Sequence, residues 1–229
     1  MKTKSLILNL FFLLIVLMVI IATITGIEWL HYSSMPLVMI WIAANFIITG
    51  KPVPNRWMVI TAFFFSWLGD ILLMFGSKNE MFFFAGVGGF FLSQVTYILA
   101  FSRFNLSPGK GFLIKKPILT LPYLAYVAII YGILYPHLEG IMKPVVALYA
   151  LSLMGMSAAA LNRKGLMDPG NFRILFSGTI FFMISDSILA INKFAVAIPQ
   201  QGLLVLTTYM LAQYMIMTGL LSRTIDNRQ

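Results

Sequence analysis

Eight stretches of nearly unbroken apolar residues, each close to 20 long, divide this sequence: Leu6–Ile24, Tyr32–Ile48, Trp57–Phe75, Phe82–Phe101, Ile118–Leu134, Ile141–Leu161, Phe172–Ile191 and Gly202–Leu221. At 1.5 Å per residue, a helix of about 20 residues crosses a hydrocarbon core about 30 Å thick. The stretches do not alternate with period two, so they predict helices and not the strands of a membrane β-barrel. Pro36 and Asn45 shorten the clean core of the second. The first follows Lys2 and Lys4 as a signal peptide would, but its apolar run is too long and no Ala-x-Ala site comes before Glu28. An uncleaved first helix is expected.

Composition agrees with lipid as the main solvent: 60% of residues are hydrophobic and 10% charged, with a mean hydropathy of +0.91, well outside the range of water-soluble domains. No linker-like tract or charge run separates one half from the other, so residues 1–229 are read as one domain. The expected fold class is all-α, a polytopic transmembrane bundle of eight helices. The net charge of +9 changes the picture through its placement. Of 16 basic residues, 13 fall at the N-terminus, around Lys51 and Arg56, around Arg103, Lys110, Lys115 and Lys116, around Arg163, Lys164 and Arg173, and in the tail with Arg223 and Arg228. Only Lys78, Lys143 and Lys193 remain for the other face. This division supports an even number of spans with both termini cytoplasmic. The scattered cations suit anionic lipid headgroups and not nucleic acid. The expected location is a bacterial inner (cell) membrane. With no cysteine in the chain, disulfides, cysteine nucleophiles and cysteine metal sites are excluded.

An ionisable side chain inside a bilayer is costly unless it faces the bundle interior or water, so such residues are functional candidates. Two carboxylates qualify. Asp70 lies in Ser66-Trp67-Leu68-Gly69-Asp70-Ile71-Leu72-Leu73-Met74, and Asp186 in Ser185-Asp186-Ser187-Ile188-Leu189-Ala190-Ile191-Asn192-Lys193-Phe194. Both sit in odd-numbered spans, about five residues or roughly 7 Å before the outer end. Matching depth predicts a meeting, and two acids sharing a low-dielectric pocket divide into one protonated and one charged partner, an acid and base pair. The plainer alternatives are hydrogen bonding between helices, or an ion pair of Asp186 with Lys193 two turns on.

Gln94 and Tyr97 share one face of the fourth span, and Tyr209 and Gln213 one face of the eighth. These faces either line a polar cavity or bond one helix to another. Ala85, Gly89 and Ser93 form a small-residue stripe suited to close helix contact. Gly86-Val87-Gly88-Gly89 has neither the preceding strand nor the following Lys-Ser/Thr of a phosphate loop. His31 and His137 fall in the outer loops without a His-x-x-x-His spacing, so no metal site is expected. There is no Gly-x-Ser-x-Gly, and Ser185 and Ser187 lack an evident base, which leaves water activated by carboxylates. No cofactor is expected.

The same segments resemble a known family. Gly69-Asp70-Ile71-Leu72-Leu73-Met74, the Ser185 to Phe194 segment, Phe91-Leu92-Ser93-Gln94-Val95-Thr96-Tyr97 and Thr208-Tyr209-Met210-Leu211-Ala212-Gln213 are similar, in order and spacing, to segments of the YhhN/TMEM86 lysoplasmalogenase family. Two positions depart from that pattern: Gln94 stands in place of a histidine, and Met35-Pro36 in place of Lys-Pro. The resemblance implies an eight-helix membrane hydrolase that cleaves the vinyl ether bond of lysoplasmalogens, releasing a fatty aldehyde and a glycerophospho-head-group product. It assigns Asp70 and Asp186 as the catalytic pair. The expected substrate contacts are Gln94, Tyr97, Tyr209 and Gln213, with Asn192 and Lys193 toward the phosphate. The expected partners are a lysophospholipid and membrane lipids, and the oligomeric state stays open. A second reading also uses the paired acids: a transporter or lipid-binding protein that couples to protons or cations. The offset of 116 residues from Asp70 to Asp186 further suggests a parallel four-plus-four duplication.

Overall fold

The computed structural model describes residues 2–49, 55–103 and 111–221. Lys51, Lys110, Arg223 and Arg228, four of the cations used above to orient the chain, lie outside these residues. Every described element is helical: α1 (Lys2–Thr25), α2 (Glu28–Thr49), α3 (Arg56–Met74), α4 (Glu80–Arg103), a single turn α5 (Phe112–Lys115), α6 (Leu121–Leu134), α7 (Met142–Leu161), α8 (Pro169–Phe194) and α9 (Gln201–Leu221). Eight of these segments are long and apolar enough to cross a membrane, the fifth made of α6 with the 3-10 turns that flank it. The chain is an integral, multi-pass membrane protein.

The helices run past the apolar stretches where polar side chains satisfy their ends. Asp168 caps α8 by accepting the Asn171 N–H at 3.1 Å, with Pro169 in the first turn. At the other end Asn192 Oδ1 accepts the Ile198 N–H at 2.9 Å, and Lys193 pairs with Glu80 at 3.0 Å. Asp186 therefore lies eight residues before the end of its helix and Asp70 four before the end of α3, not the equal five expected. The ion pair of Lys193 with Glu80 also replaces the alternative pairing with Asp186. On the basic face, Arg163 in the turn after α7 reaches across to donate to the Phe101 carbonyl of α4 at 3.2 Å. Burial lowers its guanidinium to about 10, so it keeps its charge at neutral pH.

Two helix pairs approach closely because glycine leaves room for backbone against backbone. A Cβ on Gly89 of α4 would lie 3.0 Å from the Gly69 nitrogen of α3, and one on Gly178 of α8 would lie 2.9 Å from the Ile216 nitrogen of α9. The stripe of α4 that meets α3 is Gly86, Gly89 and Ser93. Ala85, expected in it, is exposed, one position round the helix from the buried Gly86. Ser93 donates to the Ala62 carbonyl at 2.9 Å and seals the same contact.

The packing repeats. Helix α2 packs on α1 and α3, and α3 on α4; in the second half α7 packs on α6 and α8, and α8 on α9. Across the halves, α2 meets α9 as α7 meets α4. These shared neighbours fit the suggested four-plus-four arrangement, although α1 also meets α9 with no matching contact of α6 on α4 among those that pack closely.

Candidate active site

The sites of Asp70 and Asp186 follow from this arrangement. Each carboxylate sits on the third helix of its half, and each is held by the fourth helix of the other half. Tyr209 of α9 donates to Asp70 Oδ2 at 2.9 Å, and Gln94 of α4 donates to Asp186 Oδ2 at 3.0 Å. A hydroxyl from α7 adds to the second: Tyr149 donates to the same Asp186 oxygen at 2.5 Å. Ser152, one turn further along α7, donates to Gln94 Oε1 and so turns the Gln94 amide N–H toward the carboxylate. Asp70 and Asp186 are 3% and 6% exposed, which means that protein groups, not bulk water, decide their charge.

Both carboxylates line one cavity of about 410 Å³. Its walls come from one end of the bundle only: the start of α2, the end of α3, the start of α4, the end of α8 and the start of α9. Phe90, Phe182 and Tyr209 meet edge to face at 5.4 to 6.1 Å and fix the Tyr209 ring beneath Asp70. Asn192 and Lys193 lie on the wall toward the mouth, where the Lys193 ammonium also stands 4.7 Å over the Phe83 ring. Lys78, in the turn between α3 and α4, lies 5.1 Å over Tyr32 beside that mouth. A hydrogen bond with Tyr32 and, more weakly, the Glu28 carboxylate raise its pKa above the usual lysine value.

Of the expected contact residues, Tyr209, Asn192 and Lys193 line the cavity, whereas Gln94, Tyr97 and Gln213 do not. Gln94 stands behind Asp186 as its donor. Tyr97 and Gln213 lie one turn deeper, in a buried chain whose direction is set by single protons. Ser93 gives its proton to Ala62, so Ser66 donates to Ser93 at 2.7 Å; Ser66 must then accept from Gln213 Nε2 at 2.8 Å, which leaves Gln213 Oε1 to accept from Tyr97 at 2.8 Å. Replacing Gln213 with Leu strands the Tyr97 hydroxyl in a fully buried layer and takes from Ser66 the donor it accepts from, leaving it its bond to Ser93. At about 1 to 3 kcal/mol for each unsatisfied group, the variant is expected to melt clearly below the parent in detergent, measured by intrinsic fluorescence.

Several neighbours of the acids were not legible as such. Tyr149 and Ser152 carry the same i, i+3 polar signal in an apolar span as Gln94 and Tyr97. Sequence alone does not show that α7 turns that face toward α8. His31 is not in a loop: it lies in the first turns of α2 and lines the cavity with Met35, because α2 begins at Glu28. His137 sits in a 3-10 turn after α6. The Ser185 hydroxyl is donated to the Val205 carbonyl at 2.9 Å and that of Ser187 to Met183 at 2.6 Å, so both hold structural bonds.

The profile of the YhhN family matches residues 28–220, from the first residue of α2 to the last turn of α9, and so takes in both carboxylates and their donors. The chain belongs to the YhhN family. The human protein named lysoplasmalogenase TMEM86A is 28% identical over 166 residues, which is 71% of this YhhN chain and 65% of the relative. The bovine (Bos taurus) TMEM86A lysoplasmalogenase is 26% identical over 193 residues, 80% of this chain and 74% of that one. The pig (Sus scrofa) TMEM86B lysoplasmalogenase is 33% identical over 131 residues, 57% of this chain and 50% of its own length. This chain thus spans slightly under two thirds of the human relative and half of the pig one. No solved structure matches this YhhN protein.

Proposed function

We propose that this protein hydrolyses the vinyl ether bond of lysoplasmalogens, with Asp70 and Asp186 as the acid and base. The observation that carries the reading is the convergence of two carboxylates from different helices on one cavity inside a membrane bundle. The names of the relatives agree with it. Two donors converge on Asp186 Oδ2 and one reaches Asp70 Oδ2; the more fully solvated Asp186 suits the carboxylate and Asp70 the neutral acid.

The chemistry then closes on itself. Asp70 gives its proton to the vinyl carbon remote from oxygen, leaving an oxocarbenium ion on the carbon that bears oxygen. Water attacks that carbon while Asp186 takes its proton. The hemiacetal collapses as Asp186 returns a proton to the departing glycerol oxygen and Asp70 recovers one from the hemiacetal hydroxyl. Both groups regain their starting states, and the products are an aldehyde and a glycerophospho-head group. The phosphate meets Lys193 and Asn192 at the mouth, with Lys78 beside it. The one-ended lining suits an enzyme that admits substrate from a single membrane face, here the face with few cations, which the sequence reading makes the outer one.

The test is a reaction of the purified protein in D2O with lysoplasmenylethanolamine and its saturated-ether and ester analogues. The expected result is aldehyde from the vinyl ether alone, carrying one deuterium at C2, the carbon that was protonated. Fatty acid from the ester analogue without aldehyde from the vinyl ether overturns the reading.

A further inference from the structure

Behind the cavity lies a second, narrower opening. A crevice of about 50 Å³ runs between the first turns of α4 and α7 and the last turns of α8. Phe83, Asp186 and Leu189 line both spaces, so a single layer of side chains, one of them a reacting carboxylate, separates the crevice from the cavity. The two differ in chemistry. The cavity carries His31, Asn192, Lys193 and Gln201 on its walls, whereas apart from Asp186 and Tyr149 the crevice is walled by apolar side chains, among them Val87, Met142, Val145 and Val146. It also opens sideways, since Val145 on its rim is 41% exposed on the flank of a helix that spans the bilayer.

Resting on the proposed hydrolase activity, we infer that this crevice is the path of the substrate's hydrocarbon chain, and that Val87, Val145 and Phe83 set which chains are accepted. A single-chain lipid has a polar head that suits the mouth of the cavity and an apolar tail whose far end must leave it, since a space of about 410 Å³, apolar at Met35, Leu73 and Leu206 but polar at its mouth, also has to hold the head and the attacking water. Coiled inside the cavity, the tail would press methylenes against Asn192 and Lys193 and crowd the attacking water. Threaded past Asp186, it runs through apolar walls into the surrounding lipid, where its methylenes already belong. The bond between head and tail is then held between the two carboxylates, which is where the vinyl ether lies in the molecule. Phe83 acts as the hinge of this partition, its ring clamped under the Lys193 ammonium.

The experiment compares kcat/KM for a long-chain lysoplasmalogen and for a vinyl ether analogue with a chain too short to enter the crevice, using the full protein and Val145→Trp, Val87→Trp and Val145→Ala. Filling the crevice is expected to lower kcat/KM for the long chain at least tenfold while leaving the short analogue within about twofold; Val145→Ala, which only widens the crevice, is expected not to lower the long-chain value. Equal losses for both chains, or none for either, overturn the inference while leaving the hydrolase reading intact. A second measurement does not depend on turnover: a saturated-ether lysolipid carrying a diazirine midway along its chain, photolysed on the parent protein. Labelling of Met142, Val145 or Val87 supports the path even if no vinyl ether is cleaved, and labelling confined to residues of the cavity such as Leu206 or Met35 sinks it.

Discussion

Aldehyde release is expected to fall by at least about a hundredfold when either Asp70 or Asp186 is changed to Asn, because the amide can neither donate nor take the proton of the proposed mechanism and a positioned acid or base contributes about 10² to 10⁴ in rate. Asn has the shape of Asp and keeps an oxygen that can accept from Tyr209 at Asp70, or from Gln94 and Tyr149 at Asp186. Both variants therefore fold, and their melting temperatures in detergent check this. The Asp70→Asn, Asp186→Asn double variant is expected to be no slower than the worse single one, since in the proposed mechanism the two groups act in one proton cycle and the loss of either stops it. Additive losses would mean two independent contributions and would sink the paired mechanism. Normal turnover in either single variant would remove that carboxylate from the reaction.

The largest effect on stability is expected at Gly219. A Cβ there would fall 2.6 Å from the Leu175 nitrogen and 2.8 Å from its Cα, so the obstacle is backbone and no side chain can swing aside. Gly219→Val forces α8 and α9 apart, at a cost of about 3 kcal/mol or more, the upper end for overpacking a core. Both elements that hold the site to this pair, Asp186 on α8 and Tyr209 on α9, move with it. The expected result is a large drop in melting temperature together with loss of activity. Gly88 is the control: a Cβ on it meets nothing within 4 Å, and Gly88→Ala is expected to hold or raise stability through helix propensity alone. If both variants melt alike, close packing of α8 on α9 is not what holds the bundle.

The fold was largely legible because the bilayer imposes it. A chain in hydrocarbon must satisfy its backbone within each crossing, so each long apolar run had to be a helix, and counting runs was counting helices. Helix ends were less legible. Hydropathy marks where apolar residues stop, but α8 continues to Phe194 because Asn192 and Lys193 find partners on the loop after α8 and at the start of α4.

The acids themselves were legible for the same reason that they are costly: a carboxylate in an apolar span stands out, and two of them call for a shared purpose. Their partners were not. Gln94, Tyr97, Tyr209 and Gln213 read alike in the sequence, yet the structure gives Tyr209 a place on the cavity wall, puts Gln94 behind Asp186, and buries Tyr97 with Gln213 in a separate chain of hydrogen bonds. Tyr149 and His31 reach the site from helices whose rotation and starting point nothing in their own segments specifies.

The eight crossings and the candidate acids could be read from the sequence, because each depends on residue type and spacing along one helix; the 116-residue spacing of the acids only suggested a repeat. Only the tertiary structure decided that each acid is held by the opposite half, that both share one cavity open at one end, and that a lipid-facing crevice meets that cavity at Asp186. Those facts depend on how helices rotate and pack against one another. That is set by glycines and buried hydroxyls acting across pairs of helices, and no single segment carries it.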